Sequence, residues 1–241
     1  RALEGKPLAF GLLTLIAVII GGPVQYIPLV AVKSNIPTIP SVKPYTPLEL
    51  EGRDIYVSEG CYNCHSQMIR PFREEVVRYG EYSKPGEFIY DRPFQFGSKR
   101  TGPDLHRVGG KYLDFWHYRH MLDPRSTSPG SIMPPYPWLY EKDLDLSLTN
   151  RKIEAFRKLG APYTKDEASS AVDSAKKQAE ELTQALYKQG VKETPGLERK
   201  QIIALIAYLQ RLGTDVKVGG ASQVAATRTK GDDSIEEEEE A

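Results

Sequence analysis

The sequence predicts an all-α protein in which a membrane-spanning helix precedes a helical domain. Three observations indicate this fold class: an uncharged apolar stretch near the N-terminus, several segments with helical periodicity and capping signals, and no convincing alternation of the kind that strands show. At 241 residues the chain has room for one sizeable domain with appendages. We divide it into an anchor at 1–32, a spacer at 33–45, a helical domain at 46–213 and a tail at 214–241.

The anchor is predicted from the stretch between Pro7 and Val32, which contains no charged residue. A helix needs about 20 apolar residues to cross the hydrocarbon core of a membrane, so this stretch is long enough. A cleaved signal peptide and a re-entrant hairpin are the alternatives, but no small-x-small cleavage site follows the apolar run. The basic residues Arg1 and Lys6 are compatible with a cytoplasmic N-terminus. We therefore expect an uncleaved, single-pass anchor.

Charge is unevenly distributed along the chain. The 32 basic residues balance 32 acidic ones, yet seven of the acidic residues lie between Asp232 and Glu240. Without those seven, 32 basic residues face 25 acidic ones, which leaves a net charge of +7. A tail of this composition cannot bury enough apolar surface to fold, so we expect a disordered acidic tail. An electrostatic arm for a basic partner is the functional alternative. We expect no nucleic-acid partner.

The helical domain follows a spacer that prolines at 37, 40 and 44 make extended and semi-rigid. Its first helix should begin at Thr46, because Thr-Pro-Leu-Glu combines a capping box with proline at the first helical position, and it should continue towards residue 61. The last helix should run from Leu197 to Leu212 with an apolar stripe, and Gly213 fits its C-terminal cap. Between them we expect an Ala-rich helix over 164–190 and shorter helices near 112–122 and 151–159.

The most specific motif is Cys61-Tyr62-Asn63-Cys64-His65, which has the form of a covalent haem c attachment site. Its two thiols can add to the two vinyl groups of one haem, and the imidazole that follows can bind one face of the iron. These are the only cysteines in the sequence, so a zinc site would need scattered histidines and carboxylates as further ligands. A redox dithiol would need a preceding strand, whereas the upstream residues have a helical pattern. We predict one covalent haem c bound by Cys61, Cys64 and His65.

A helix that leads into Cys-x-x-Cys-His, long loops and a closing amphipathic helix resemble the class I cytochrome c fold over residues 46–213. This resemblance implies that the first and last helices pack together beside the haem, with long loop and helical insertions in this chain. It also implies that Pro103, within Gly-Pro-Asp-Leu at 102–105, accepts a hydrogen bond from His65, and that Lys111 contacts a haem propionate. A solvated surface lysine is the alternative for Lys111.

The second iron ligand is predicted to be Met133, in the proline-stiffened segment Ser-Ile-Met-Pro-Pro at 131–135. Met68 follows His65 too closely to reach the opposite face of the haem, and core packing suits Met121 better. The remaining histidines, His106, His117 and His120, stay open as alternatives. His/Met ligation leaves no open coordination position and raises the reduction potential, which favours electron transfer over O₂ binding at this iron.

Three segments carry a closer resemblance: GRDIYVSEGCYNCHSQMIRPFREEVVRYGEYS, RPFQFGSKRTGPDLHRVGGKY and MLDPRSTSPGSIMPPYPWL. They resemble the membrane-anchored monohaem cytochrome c subunit, subunit II, of the cbb-type (C-family) haem–copper cytochrome c oxidases. The resemblance implies electron delivery from a dihaem cytochrome c subunit or a soluble cytochrome c, through this haem, to the catalytic haem–copper subunit that reduces O₂ to water. It places the anchor in the bacterial inner membrane and the cytochrome domain in the periplasm.

The chain is thus expected to be a redox subunit with no catalytic activity of its own. The insert at 67–100 interleaves arginines with aromatic residues, as interface cores do, although an ordinary packed loop is the alternative. A monohaem subunit of a nitric oxide reductase and a freestanding membrane-tethered cytochrome c are the nearest rival functions. A haem-based gas sensor, in which a gas displaces Met133, is a rival from another class.

Overall fold

The computed structural model describes residues 3–32 and 36–216. Within those ranges the protein is helical and contains no β-strand, in agreement with the predicted fold class. The described residues divide into two compact units, with the boundary after Ile39. The predicted acidic tail from residue 217 onward and residues 33–35 of the predicted spacer lie outside the described part of the chain.

The first unit is dominated by helix α1, Pro7–Ala31, which has 25 residues and proline at its N-terminal end. Pro23 and Pro28 lie inside the helix, so two backbone positions donate no hydrogen bond there. The window Pro7–Pro28 has 22 residues and a mean hydropathy of 2.1, and no part of it is buried within the chain. This helix is long and apolar enough to span a membrane.

The second unit contains nine further α-helices among the described residues. They are α2 Pro47–Ser58, α3 Arg73–Tyr79, α4 Asp114–Leu122, α5 Pro124–Thr127, α6 Trp138–Glu141, α7 Thr149–Lys158, α8 Lys165–Ser169, α9 Ala171–Lys188 and α10 Gln201–Arg211. Short 3₁₀ helices lie at Cys61–Asn63, Pro85–Phe88 and Leu197–Arg199. The predicted Ala-rich helix is therefore two helices that divide at Ser170, and the last helix starts at Gln201 after a separate 3₁₀ turn.

Helix α2 begins where the sequence predicted. The Thr46 amide donates to Glu49 Oε2 at 2.7 Å, which satisfies a backbone group that the helix itself cannot pair. The helix ends at Ser58, before the cysteine motif, because Gly60 adopts a left-handed conformation with φ of +69°. The thiols therefore lie on a separate 3₁₀ turn and not on a continuation of α2.

The core forms where α2 packs against α10. A Cβ atom built on Gly52 would lie 1.9 Å from the carbonyl oxygen of Ala204, so only glycine lets the two helix backbones approach this closely. Tyr208 on α10 lies between Tyr45 and Tyr56, with ring centroids 5.7 Å and 5.4 Å away. The pairing of the first and last helices of this unit is the one that the class I cytochrome c resemblance implied.

The helical insertion, α7 to α9, packs on another face of α2. Leu50 of α2 forms a small second core with Ile153 and Ala171. The buried carboxylate of Glu51 accepts hydrogen bonds from Thr149 Oγ1 at 2.7 Å and from Lys152 Nζ at 2.6 Å. Each oxygen of this buried carboxylate thus has a partner, which offsets the cost of removing it from water.

The insert at 67–100 is more ordered than a long loop, since it contains α3 and a 3₁₀ turn. Its Arg-Glu-Glu-Val-Val-Arg-Tyr sequence is too short for a periodic pattern, which is why the sequence did not reveal α3. The insert is joined to α2 by an ion pair between Arg53 and Asp91 at 2.5 Å, with both side chains 4% exposed. Of its aromatic residues, Phe88 is buried, whereas Phe72 and Phe94 are 57% and 56% exposed. The insert therefore combines packed and exposed aromatic residues.

Candidate functional site

The cysteine motif forms one tight turn at the end of α2. The amides of Cys64 and His65 both donate to the carbonyl oxygen of Cys61, at 3.2 Å and 2.9 Å. Cys61 is half-buried and Cys64 is exposed, and both thiols are free. Burial, reinforced by the negative charge of Glu59, raises the pKa of Cys61 to about 12. Two free thiols on one turn, directly followed by an imidazole, are the donor set that covalent haem attachment needs.

The imidazole of His65 is held in place by residues 102 and 103. Its Nδ1 lies 2.8 Å from the carbonyl oxygen of Pro103, and the Gly102 amide donates to the carbonyl of Cys64 at 2.9 Å. Burial lowers the pKa of His65, against the opposing effects of the Pro103 hydrogen bond and the charge of Asp104. A neutral imidazole that donates from Nδ1 keeps the lone pair of Nε2 free for a metal ion.

Gly102 completes this support because it has no side chain. A Cβ atom built there would lie 2.3 Å from His65 Cε1, 2.7 Å from Nδ1 and 2.8 Å from Nε2. No real side chain tolerates such distances, so the flat face of the ring rests directly on the glycine backbone. The position of the imidazole is therefore fixed by a hydrogen bond at one atom and by close packing along one face.

Two hydrogen bonds hold the segment that follows Met133, and one of them is made to Glu59, next to the cysteine motif. The Tyr136 amide donates to the carbonyl of Met121 at 2.8 Å, and Trp138 Nε1 donates to Glu59 Oε2 at 3.0 Å. Burial, and after it the charges of Cys61 and Cys64, raise the pKa of Tyr136, so this ring lies within electrostatic reach of the motif. Met133 itself is half-buried against the main core.

The protein-family model described as "Cytochrome C oxidase, mono-heme subunit/FixO" matches residues 1–216. The chain belongs to this family. No curated protein matches the chain. As a FixO-family chain it is a cytochrome c oxidase subunit associated with electron transport, and a catalytic oxidase subunit is implied as its partner. The family also implies a haem and a membrane location, which fits the apolar helix α1.

The residues of this FixO-family chain fit a haem at the predicted position. The support comes from the neutral imidazole, which packs on the backbone of Gly102 and bonds to Pro103, and from the two adjacent free thiols. Nε2 of His117 is also buried and has no hydrogen-bond partner among the described residues.

The alternative iron ligands occupy different environments. Met121 is buried in the main core, as predicted, and Met68 is 37% exposed. His106 Nε2 lies 2.8 Å from Glu87 Oε2, so this imidazole already has a charged partner.

His117 and His120 both lie on α4. His120 Nδ1 lies 2.6 Å from Thr127 Oγ1, and its ring stacks on Trp116 with centroids 4.4 Å apart. Burial, together with the charge of His120, lowers the pKa of His117 to about 4. Burial, together with the charge of His65, lowers the pKa of His120 to about 4. Neutral imidazoles at both positions are compatible with a site close to His65.

Lys111 is exposed, and its Nζ lies 5.5 Å from the centre of the Tyr112 ring. Its backbone amide donates to Val108 at 3.0 Å within the turn that contains Gly109 and Gly110. A contact between Lys111 and a propionate therefore stays a prediction.

The sequence analysis assigned no role to Asp104, the third residue of Gly-Pro-Asp-Leu. Its side chain is fully buried, and it accepts hydrogen bonds from Ser66 Oγ at 2.7 Å and from the Met68 amide at 2.9 Å. Both partners lie just after His65 in the sequence. A charged residue between proline and leucine was the only available signal, because the three-dimensional contacts of that residue are not visible in its spacing.

Proposed function

We propose that this chain is the electron-transfer subunit of a cbb-type cytochrome c oxidase and that one haem c, covalently bound through Cys61 and Cys64, carries the electrons. In this proposal His65 and Met133 would hold its iron. When bound, the haem supplies a one-electron couple. The protein supplies the ligands, the orientation of the His65 ring and a site with no open coordination position.

The observation that carries the proposal is the support of His65 by Pro103 and Gly102. A hydrogen bond of 2.8 Å to a backbone carbonyl fixes which nitrogen bears the proton and directs Nε2 away from that carbonyl. The family description, a mono-haem oxidase subunit, agrees with this use of the motif.

The role of Met133 follows from its place on a stiff loop. Pro134 and Pro135 restrict the backbone, and Met133 N donates to Ser131 Oγ at 3.2 Å, so the thioether is presented from a defined segment. A methionine ligand raises the reduction potential and fills the sixth coordination position. This favours a carrier of electrons over a sensor that binds a gas.

Electrons pass in this proposal from a dihaem cytochrome c subunit or a soluble cytochrome c to this haem, and from it to the catalytic haem–copper subunit. The chain performs no O₂ chemistry by itself. Helix α1 anchors it in the bacterial inner membrane, and the domain at 46–213 lies in the periplasm, where haem c is attached. The exposed aromatic and arginine side chains of the 67–100 insert are the surface we expect to contact a partner subunit.

The first test is native purification through this chain in mild detergent, followed by a reduced-minus-oxidised spectrum and an O₂-uptake assay. We expect haem c to co-purify with haem b and with rapid, cyanide-sensitive O₂ consumption. Haem c alone would indicate a freestanding tethered carrier. Haem b with turnover of nitric oxide and not of O₂ would indicate a reductase subunit.

A second test addresses the axial ligand. Met133→His should retain the covalent haem and lower its reduction potential, because imidazole is the more basic ligand. Met68→Leu, at an exposed methionine three residues after His65, is the matched control and should leave the potential unchanged. An unchanged potential in Met133→His would remove Met133 from the ligand set.

A further inference from the structure

The buried carboxylate of Asp104 joins the two segments that hold the candidate haem ligand. Its Oδ2 accepts from Ser66 Oγ at 2.7 Å and from the Met68 amide at 2.9 Å, while Oδ1 accepts from the His106 amide at 2.8 Å. The guanidinium of Arg100 lies 3.6 Å away, and the Asp104 side chain is 0% exposed. A buried carboxylate with this many partners is strongly held in one position.

These bonds fix the carbonyl that orients His65. Pro103, which accepts from His65, directly precedes Asp104, and the next amide, that of Leu105, donates to the carbonyl of Ser66 at 2.9 Å. On the other side of Pro103, the Gly102 amide donates to the carbonyl of Cys64 at 2.9 Å, so both flanks of this proline are bonded to the segment around His65. Loss of these bonds would therefore loosen the backbone that carries the Pro103 carbonyl.

We propose that Asp104 is a positioning residue for His65 and that its buried negative charge lowers the reduction potential of the haem bound there. Ferric haem carries one more positive charge than ferrous haem, so a nearby anion favours the ferric form. Charges interact more strongly in the protein interior than in water, which makes a buried carboxylate effective. This inference rests on the proposed haem c site and names the residue that tunes it.

An ion-pair network extends from Asp104 through Arg100 into α3, and it predicts how removal of Arg100 should change the reduction potential. Arg100 also pairs with Glu75 at 2.7 Å, and Arg70 forms a second ion pair with the same carboxylate. The network therefore contains two cations and two carboxylates. Arg100 lies next to Asp104 and partly offsets its charge, so removing Arg100 should have the opposite effect to removing Asp104.

The experiment compares the reduction potentials of haem-loaded full-length variants in detergent. Asp104→Asn keeps an acceptor oxygen and removes the charge, and it should increase the equilibrium constant for reduction about tenfold, or about 59 mV for one electron. Glu75→Gln also removes one negative charge, but Glu75 is connected to Asp104 only through Arg100. It should therefore raise the potential by less than half as much. Arg100→Gln should lower the potential.

Positioning is tested separately from charge. Asp104→Leu removes every acceptor oxygen, and we expect it to change the low-spin ferric electron paramagnetic resonance signal, which reports the orientation of the axial ligands. Asp104→Asn should leave that signal close to wild type. If Asp104→Leu does not accumulate, Ser66→Ala takes its place: it removes the 2.7 Å hydrogen bond to Asp104 without changing any charge, and an unaltered signal would contradict the positioning role.

An Asp104→Asn potential equal to wild type, or an Arg100→Gln potential that does not fall, would overturn the inference. Covalent haem staining of the wild-type chain separates this failure from a wider one. If the wild type carries haem but the potentials do not move, only the role of Asp104 is wrong. A wild-type chain without covalent haem would contradict the proposed function itself.

Discussion

Gly102→Ala should displace the imidazole of His65 and weaken its bond to iron. The φ angle of Gly102 lies outside the left-handed range, so alanine meets no backbone strain there, and the whole effect arises from the new methyl group. That methyl group would lie 2.3 Å from His65 Cε1. The substitution therefore acts on one ring and leaves the motif, Pro103 and Asp104 chemically unchanged.

The size of the effect follows from contact distances. Carbon atoms rest about 3.5 Å apart, so the ring must retreat by about 1.2 Å. Such a retreat stretches the 2.8 Å contact with the Pro103 carbonyl beyond the range of a good hydrogen bond. Loss of a partner that orients a metal-binding histidine typically weakens metal binding by about 10- to 100-fold, or about 1.4 to 2.7 kcal/mol.

The assay is guanidinium titration of the ferric protein, in which loss of the low-spin spectrum reports loss of axial ligation. Gly160→Ala is the control, since Gly160 has φ of +92° with open space around it. That control carries backbone strain without any contact and should leave the ligation spectrum unchanged. If Gly102→Ala has the spectrum, potential and titration midpoint of wild type, our account of how His65 is supported is wrong.

Three further predictions concern the packing around the site. Gly52→Ala should lower the free energy of unfolding by roughly 2 kcal/mol in denaturant titration, because the clash with Ala204 exceeds the gain in helix propensity. An unchanged free energy of unfolding in Gly52→Ala would contradict the close approach of α2 and α10. His117→Leu should make the free energy of unfolding less sensitive to acid. The pKa of His117 is about 4 in the folded protein and about 6.5 in the unfolded chain, so the unfolded chain takes up a proton first as the pH falls. The wild type should therefore lose up to about 3 kcal/mol of stability between pH 6.5 and pH 4. Unfolding measured across that range should show a flatter profile in the variant. Trp138→Phe removes the hydrogen bond to Glu59 and should cost about 1.5 kcal/mol in the same denaturant assay, whereas an unchanged midpoint would mean that this bond does not hold the Met133 loop.

Local signals in the sequence were sufficient for the ends of several helices. The start of α2 follows from Thr46 and Glu49, whose capping bonds involve residues three apart in the chain. Gly213, two residues after Arg211, adopts φ of +73°, as a C-terminal cap requires. The all-α class and the pairing of the first and last domain helices also followed from the sequence, the latter through resemblance.

The remaining features depend on contacts between distant residues. Gly52 is an ordinary helix residue by sequence, and only the carbonyl of Ala204, some 150 positions away, explains why it lacks a side chain. Asp104 and Gly102 likewise acquire their importance from Ser66 and His65. Short helices such as α3 were missed because seven residues give fewer than two turns of periodic pattern.

The packing of α2 against α10 also determines the order in which this domain can be completed. The thiols follow α2 directly, whereas α10 begins 140 positions after Cys61. A chain made from its N-terminus exposes the motif long before the helix that closes over α2 exists. The closing contact joins distant parts of the sequence and is therefore slow to form by nature. Until α10 has been made, α2 and the cysteine motif that follows it lack the helix that packs against α2 in the completed domain.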